Sequence, residues 1–167
     1  MSTITFQSSP VQLNGTFITT GQTAPQISLV RGDLSTCTLD DYRGHNIILN
    51  IFPSLDTGIC ATSVRKFNTL AASHPNTVVL CISRDLPFAQ NRFCTVEGID
   101  NVVALSDFRR NSTFGIDYGV EMLDGPLAGL LARAVVVINP VGQVCHAQLV
   151  PEIKTEPDYE TAMNAIK

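Results

Sequence analysis

The stretch from Ile47 to Ala72 constrains this chain more than any other. Its first part, Ile47-Ile48-Leu49-Asn50-Ile51-Phe52, is an apolar run of strand length and reads as a buried strand. Pro53 ends it, because proline has no N–H to offer a ladder. From Ala61 to Ala72, Val64, Phe67, Leu70 and Ala71 recur at helical spacing. Asp56 or Thr57 can cap this helix, which places Cys60 in its first turn. Unpaired N–H groups and the positive end of the helix dipole favour an anion there. A thiolate is such an anion, and it is the reactive form of cysteine. A lone cysteine at a helix start also serves as a small buried apolar residue, so strand, turn and helix alone leave both readings open.

The elements around this unit follow from the same patterns. Thr3 to Phe6 and Val11 to Leu13 alternate apolar and polar residues, with Ser8-Ser9-Pro10 between them, and read as a β-hairpin. Short strands are expected at Ile27 to Val30, Thr77 to Ser83 and Val102 to Leu105, and a strong one at Ala134 to Ile138. Asn139-Pro140-Val141-Gly142 turns that last strand into Val144 to Val150. A helix is expected from Leu86 to Glu97, with Pro87 tolerated at its start, Gly98 at its end, and Phe88, Phe93 and Val96 as its apolar stripe. A short helical piece should reach Tyr118, Leu123 to Leu131 should be loop, and Asp158 should cap a final helix over 159–166. Strands that alternate with helices argue for an α/β sheet, and the closing hairpin makes that sheet mixed. No repeat or boundary interrupts the 167 residues, so one domain over 1–167 is expected.

Charge and cysteine usage narrow the function classes. A net charge of -4 without a Lys/Arg cluster argues against a nucleic-acid partner. No apolar run is long enough to span a membrane. The first ten residues lack the charged and apolar regions of a signal peptide, which points to the cytoplasm. Five cysteines, at 37, 60, 81, 94 and 145, form no Cys-x-x-Cys and no zinc-ligand pattern, so neither metal nor cofactor is expected. Cys37, Cys81 and Cys145 read as structural thiols. In the cytosol a disulfide is most often transient, in catalysis or redox sensing.

Pro53, Thr57 and Cys60 form Pro-x-x-x-Thr-x-x-Cys at a strand-to-helix turn, which resembles the active-site motif of peroxiredoxins. Ser83-Arg84-Asp85-Leu86-Pro87-Phe88-Ala89-Gln90-Asn91-Arg92-Phe93-Cys94 resembles the segment that carries the resolving cysteine in the bacterial thiol peroxidase subfamily, a group of atypical two-cysteine peroxiredoxins. The resemblance extends over nearly the whole chain, the N-terminal hairpin and Arg133 included. It implies a thioredoxin-like fold, a mixed central sheet flanked by helices. It implies that Cys60 attacks a hydroperoxide, with Thr57, Pro53 and Arg133 around it, and that Cys94 resolves the sulfenic acid as an intramolecular disulfide. Thioredoxin would be the reductant and a homodimer the assembly, with Phe108, Arg109, Arg110 and Tyr118 as candidate interface residues. The two cysteines fall on different expected helices, whereas a disulfide needs Cα atoms about 4.4–6.8 Å apart, so local unwinding is expected during turnover. Apolar residues in the Leu123 to Leu131 loop suggest a pocket tolerant of alkyl groups.

Three other readings stay open on the residues. A thiol–disulfide oxidoreductase would ordinarily carry Cys-x-x-Cys. A non-catalytic redox sensor or chaperone-like module could use the same fold. A Cys-His hydrolase would need a histidine near Cys60 in space, and none is near it in sequence.

Overall fold

The structure, a computed structural model, describes residues 2–166. In chain order its elements are β1 (Thr3–Phe6), β2 (Ser9–Asn14), β3 (Leu29–Arg31), β4 (Thr36–Cys37), a 3-10 turn (Leu39–Tyr42) and β5 (Asn46–Ile51). There follow α1 (Gly58–Ala71), β6 (Thr77–Ser83), α2 (Pro87–Glu97), β7 (Val103–Ser106), α3 (Phe114–Asp117) and β8 (Glu121–Met122). The chain closes with β9 (Ala134–Ile138), β10 (Val144–Leu149) and α4 (Tyr159–Asn164). A seven-stranded sheet runs β10-β9-β5-β6-β7-β3-β4, and β1, β2 and β8 form a small sheet beside it. Strands β5, β6 and β7 are parallel; β9 is antiparallel to β5 and to β10. The large sheet is therefore mixed, as the alternating pattern requires.

Side-chain alternation sorts the central strands between two cores. Ile47, Leu49, Ile51, Leu80, Ile82, Val136 and Ile138 face one side, where Ile4, Val11 and Leu13 of the N-terminal hairpin cover them. Ile48, Val79, Cys81, Val135 and Val137 face the other, against Cys60, Val64 and Phe67 of α1 and Ala162 of α4. Both faces are covered, so β5, β6 and β9 read as near-continuous apolar runs. Helix α1 is anchored because Cys60, Val64, Phe67 and Ala71 recur on one stripe and all are buried.

In three places the structure departs from, or adds to, the pattern in the sequence. The hairpin turn is Gln7-Ser8, both at positive φ (51° and 68°), and Pro10 lies inside β2 opposite Thr5. A two-residue turn of this hand matches strand twist better than the Ser8-Ser9-Pro10 turn suggested by composition. Strand β8 is two residues long, too short to leave a periodic signal, and exists because Leu13 and Asn14 pair with it. The third is α2, whose Phe88 and Val96 are 65% and 78% exposed and form no buried stripe. Its inward row is instead Pro87 and Gln90, with Phe93 and Cys94 half-buried. The Gln90 carboxamide donates to Ser83 Oγ (3.2 Å) and to the Leu105 carbonyl (2.8 Å), so a polar side chain holds the first half of α2 against the strand ends.

Two helical phenylalanines should therefore behave differently. Phe67→Ala should cost about 3–5 kcal/mol, the range for a fully buried aromatic. Phe88→Ala should stay within about 0.5 kcal/mol, as exposed sites do. Urea denaturation of the two variants checks this, and similar losses in both would contradict the packing described for α2.

Candidate active site

The turn after β5 is built by hydrogen bonds to one carboxylate. Asp85, two residues past the end of β6, accepts from Ser54 Oγ (2.7 Å), from the buried Leu55 N–H (2.8 Å) and from Ser83 Oγ (2.7 Å). The carboxyl ends of adjacent parallel strands lie at one edge of the sheet, so these loops meet there. Asp85 belongs to the stretch singled out in the sequence, yet nothing in its spacing assigns it this task. The signal available was a Ser-x-Asp at a parallel strand end, which is common in turns.

Thr57 occupies the N-cap position with extended backbone (φ -108°, ψ 146°), while Asp56 lies outside the helix. The Thr57 hydroxyl donates to the Ser54 carbonyl at 2.9 Å and does not cap the helix, so its lone pairs stay available at the exposed mouth of the turn. Pro53 is buried. Ala61 N–H is bonded to the Thr57 carbonyl at 3.0 Å; by helix geometry Gly58, Ile59 and Cys60 have no acceptor for their N–H groups within α1. Cys60, fully buried, is the third residue of that first turn.

Arg133 reaches this sulfur from the opposite side of the sheet order. Ile51 of β5 is paired with Ala134 of β9, so Arg133 falls one step beyond the pair, level with the start of the turn. Alternation along β9 sends it to the face occupied by α1. Its Nη2 lies 3.3 Å from Cys60 Sγ, its Nε donates to the Ile153 carbonyl at 2.8 Å, and its Nη1 is buried without a hydrogen-bond partner among the described residues. The residue is only 1% exposed, which overturns the ordinary expectation of a solvated charge at a strand end. A buried guanidinium is costly unless an anion faces it, and the group facing it here is a thiol.

The other thiols differ. Cys94 is half-buried on α2, is free as Cys60 is, and is pushed up in pKa by burial. Cys81 lies under α1 and is pushed up to about 12 by burial, which makes it a poor nucleophile. Burial also raises Cys37. Cys145 Sγ points to the Val137 carbonyl at 3.4 Å. Among the interface candidates, Tyr118 is withdrawn: it is fully buried, and its hydroxyl donates to the Pro25 carbonyl at 2.6 Å. Phe108, Arg109 and Arg110 are exposed. In the loop at 123–131, Leu131 is buried and Leu127 and Leu130 pack on the first core, so part of that apolar character serves the interior.

A sulfur that meets a guanidinium and free N–H groups in a dry turn suits reactions that place negative charge on sulfur or on an oxygen beside it. Comparison with known proteins agrees. The Redoxin family model matches residues 19–163. A thiol peroxidase of Corynebacterium glutamicum is 51% identical over 161 residues, covering 96% of each chain. A thiol peroxidase of Mycobacterium tuberculosis is 51% identical over 166 residues, covering 99% of each. The crystal structure of a peroxiredoxin-like protein from Aquifex aeolicus superposes with a TM-score of 0.92 at 39% identity, over 98% of this chain and 95% of that one. The chain thus belongs to the Redoxin family, and within it to the bacterial thiol peroxidases, thiol-dependent enzymes of the peroxiredoxin type. Its fold is thioredoxin-like with an added N-terminal hairpin, its substrate is a hydroperoxide and its reductant a thiol. Among the described residues no helix is long and apolar enough to cross a membrane.

Asp85→Ala should remove about 1.5–3 kcal/mol of stability, the usual loss for hydrogen bonds to a charged acceptor. Urea denaturation measures the loss. Amide exchange at Leu55 should quicken at the same time; unchanged exchange there would show that Asp85 does not hold the turn.

Proposed function

We propose that Cys60 is the peroxidatic cysteine and Cys94 the resolving cysteine of a thioredoxin-dependent peroxidase acting on hydrogen peroxide and organic hydroperoxides. The observation that carries this reading is the 3.3 Å approach of the buried Arg133 Nη2 to Cys60 Sγ, with Nη1 left over beside it. The Cys60 thiolate attacks the terminal oxygen of the peroxide, the O–O bond breaks, and the other oxygen leaves as alkoxide or hydroxide and takes up a proton. Negative charge moves from sulfur to the leaving oxygen. Arg133 can follow it, since one amine group touches the sulfur and the second lies free nearby. The N–H groups at the start of α1 and the Thr57 hydroxyl orient the two oxygens. Pro53 excludes water from the sulfur.

Cys94 thiolate then attacks the Cys60 sulfenic acid; the S–O bond breaks, water leaves, and a disulfide forms. That bond would close a loop of about 34 residues, worth roughly 3–4.7 kcal/mol in the chain-entropy picture. An external dithiol restores both thiols, and thioredoxin is the dithiol proposed. Within the same reading the chain works as one domain, as a cytoplasmic antioxidant homodimer, with exposed Phe108, Arg109 and Arg110 as the dimer surface.

Cys60→Ser should abolish peroxide consumption in an NADPH-coupled thioredoxin assay. Cys94→Ser should consume about one equivalent and stop. Steady turnover of Cys94→Ser with thioredoxin would refute the intramolecular route. Arg133→Met should slow oxidation of Cys60 by about 10²–10³-fold, the usual cost of one preorganised charge donor. Stopped-flow measurement of the peroxide-dependent step gives that figure directly.

A further inference from the structure

Helix α2 is held unevenly. Its two buried residues, Pro87 and Gln90, lie in its first half, where Gln90 and Asn91 supply polar anchors and Asp85, just before the helix, is tied to the turn after β5. Beyond them, Phe93 and Cys94 are half-buried and Thr95, Val96 and Glu97 are exposed. Phe93, and Ile99 just past the helix, pack on the core beneath α1, and polar contacts with α1 add to this at the last turn. Glu97 takes a two-pronged contact from Arg65, Nε to Oε2 and Nη2 to Oε1, both at 2.9 Å. One turn further along α1, Asn68 Oδ1 accepts the N–H groups of Asp100 (3.2 Å) and Asn101 (2.7 Å), just past the end of α2. The seam thus joins the helix that carries Cys60 to the end of the helix that carries Cys94. Glu97 lies three residues from Cys94 and Arg65 five from Cys60.

We propose that the Arg65–Glu97 pair is a latch that sets how fast Cys94 becomes available to oxidised Cys60. This rests on Cys94 being the resolving thiol. Arg65 and Glu97 touch neither the sulfur nor the peroxide, so they act as positioning residues for the second chemical step alone. Closed, the latch holds the end of α2 against α1. For the two sulfurs to meet, the last turns of α2 must come away from α1, and the ion pair must break with them. The side chains are 49% and 31% exposed, so the latch is weak and sensitive to salt. A weak latch suits a contact that opens once in every turnover.

Stopped-flow oxidation of the reduced protein by excess hydrogen peroxide separates the steps. The first phase scales with peroxide and the second does not. Glu97→Gln should leave the first phase unchanged and speed the second by about 1.5- to 5-fold, the span of exposed ion pairs. Salt raised from about 0.01 M to 1 M, which shortens screening from ~30 Å to ~3 Å, should speed the second phase of the native protein and leave that of Glu97→Gln unmoved. The charge-swapped pair Arg65→Glu with Glu97→Arg should return towards the native rate, a response that simple loosening would not give. A second phase unchanged in Glu97→Gln, or equal salt responses in both proteins, overturns the latch. Cys94→Ser supplies the separate control. If it lacks the second phase while Glu97→Gln keeps the native rate, the latch alone fails. If it retains that phase, the assignment of Cys94 fails and the latch fails with it.

Discussion

A guanidinium with almost no solvent contact, set against a cysteine sulfur, is the constraint on which the rest of the site depends. Taking such a cation out of water costs several kcal/mol after relaxation. The Ile153 carbonyl relieves only part of that for Arg133, and the structure sets no carboxylate against the cation among the described residues. Negative charge on the facing sulfur, or on an oxygen that replaces it, offsets the burial. The same contact therefore links the packing of the sheet edge to the chemistry proposed for Cys60. Asp85 has the complementary task. It holds the turn through two hydrogen bonds, from Ser54 and Leu55, and is itself braced by Ser83 at the end of β6, so the sulfur and the cation are held in place together.

The two cysteines sit on supports of opposite character. Around Cys60, β5 and β9 are buried on both faces, and α1 is fixed by Val64 and Phe67. Around Cys94 the helix is shallow: Phe88 and Val96 lie in solvent, Phe93 is only partly buried against the core, and charge and amide contacts with α1 tie Glu97 and the residues just past it. In the proposed cycle the first site has to be preorganised and the second has to leave its place. The difference in burial serves both, because local opening costs least where little apolar surface is given up.

Much of this was legible in the chain itself. The limits of β6 and β9 and the cap at Asp158 agree with the reading from pattern, because each has a strong local cause: a continuous β-branched run or a side-chain acceptor for a helix N–H. The position of Cys60 in the first turn of α1 was legible from the apolar run before it and the helical spacing after it, although Thr57 bonds the Ser54 carbonyl instead of capping the helix. What escaped has no local cause. Strand β8 exists only because β2 lies beside it. The inward face of α2 is not visible in its apolar spacing, because Gln90, a residue that composition places outside, finds two acceptors inside. Tyr118 looked like a surface residue until its hydroxyl met the Pro25 carbonyl, 93 residues away in sequence.

Order along the chain determined the alternation of strands and helices, the position of Cys60 at the head of a helix, and the separation of the two cysteines onto different helices. Each depends on neighbours within a few residues, so sequence carries it. Tertiary structure alone decided that Arg133 would face Cys60, that Asp85 would tie down the turn, and that Arg65 would reach Glu97. Each needs the register of strands or the approach of helices distant in sequence, and that register is settled by how two buried faces pack together.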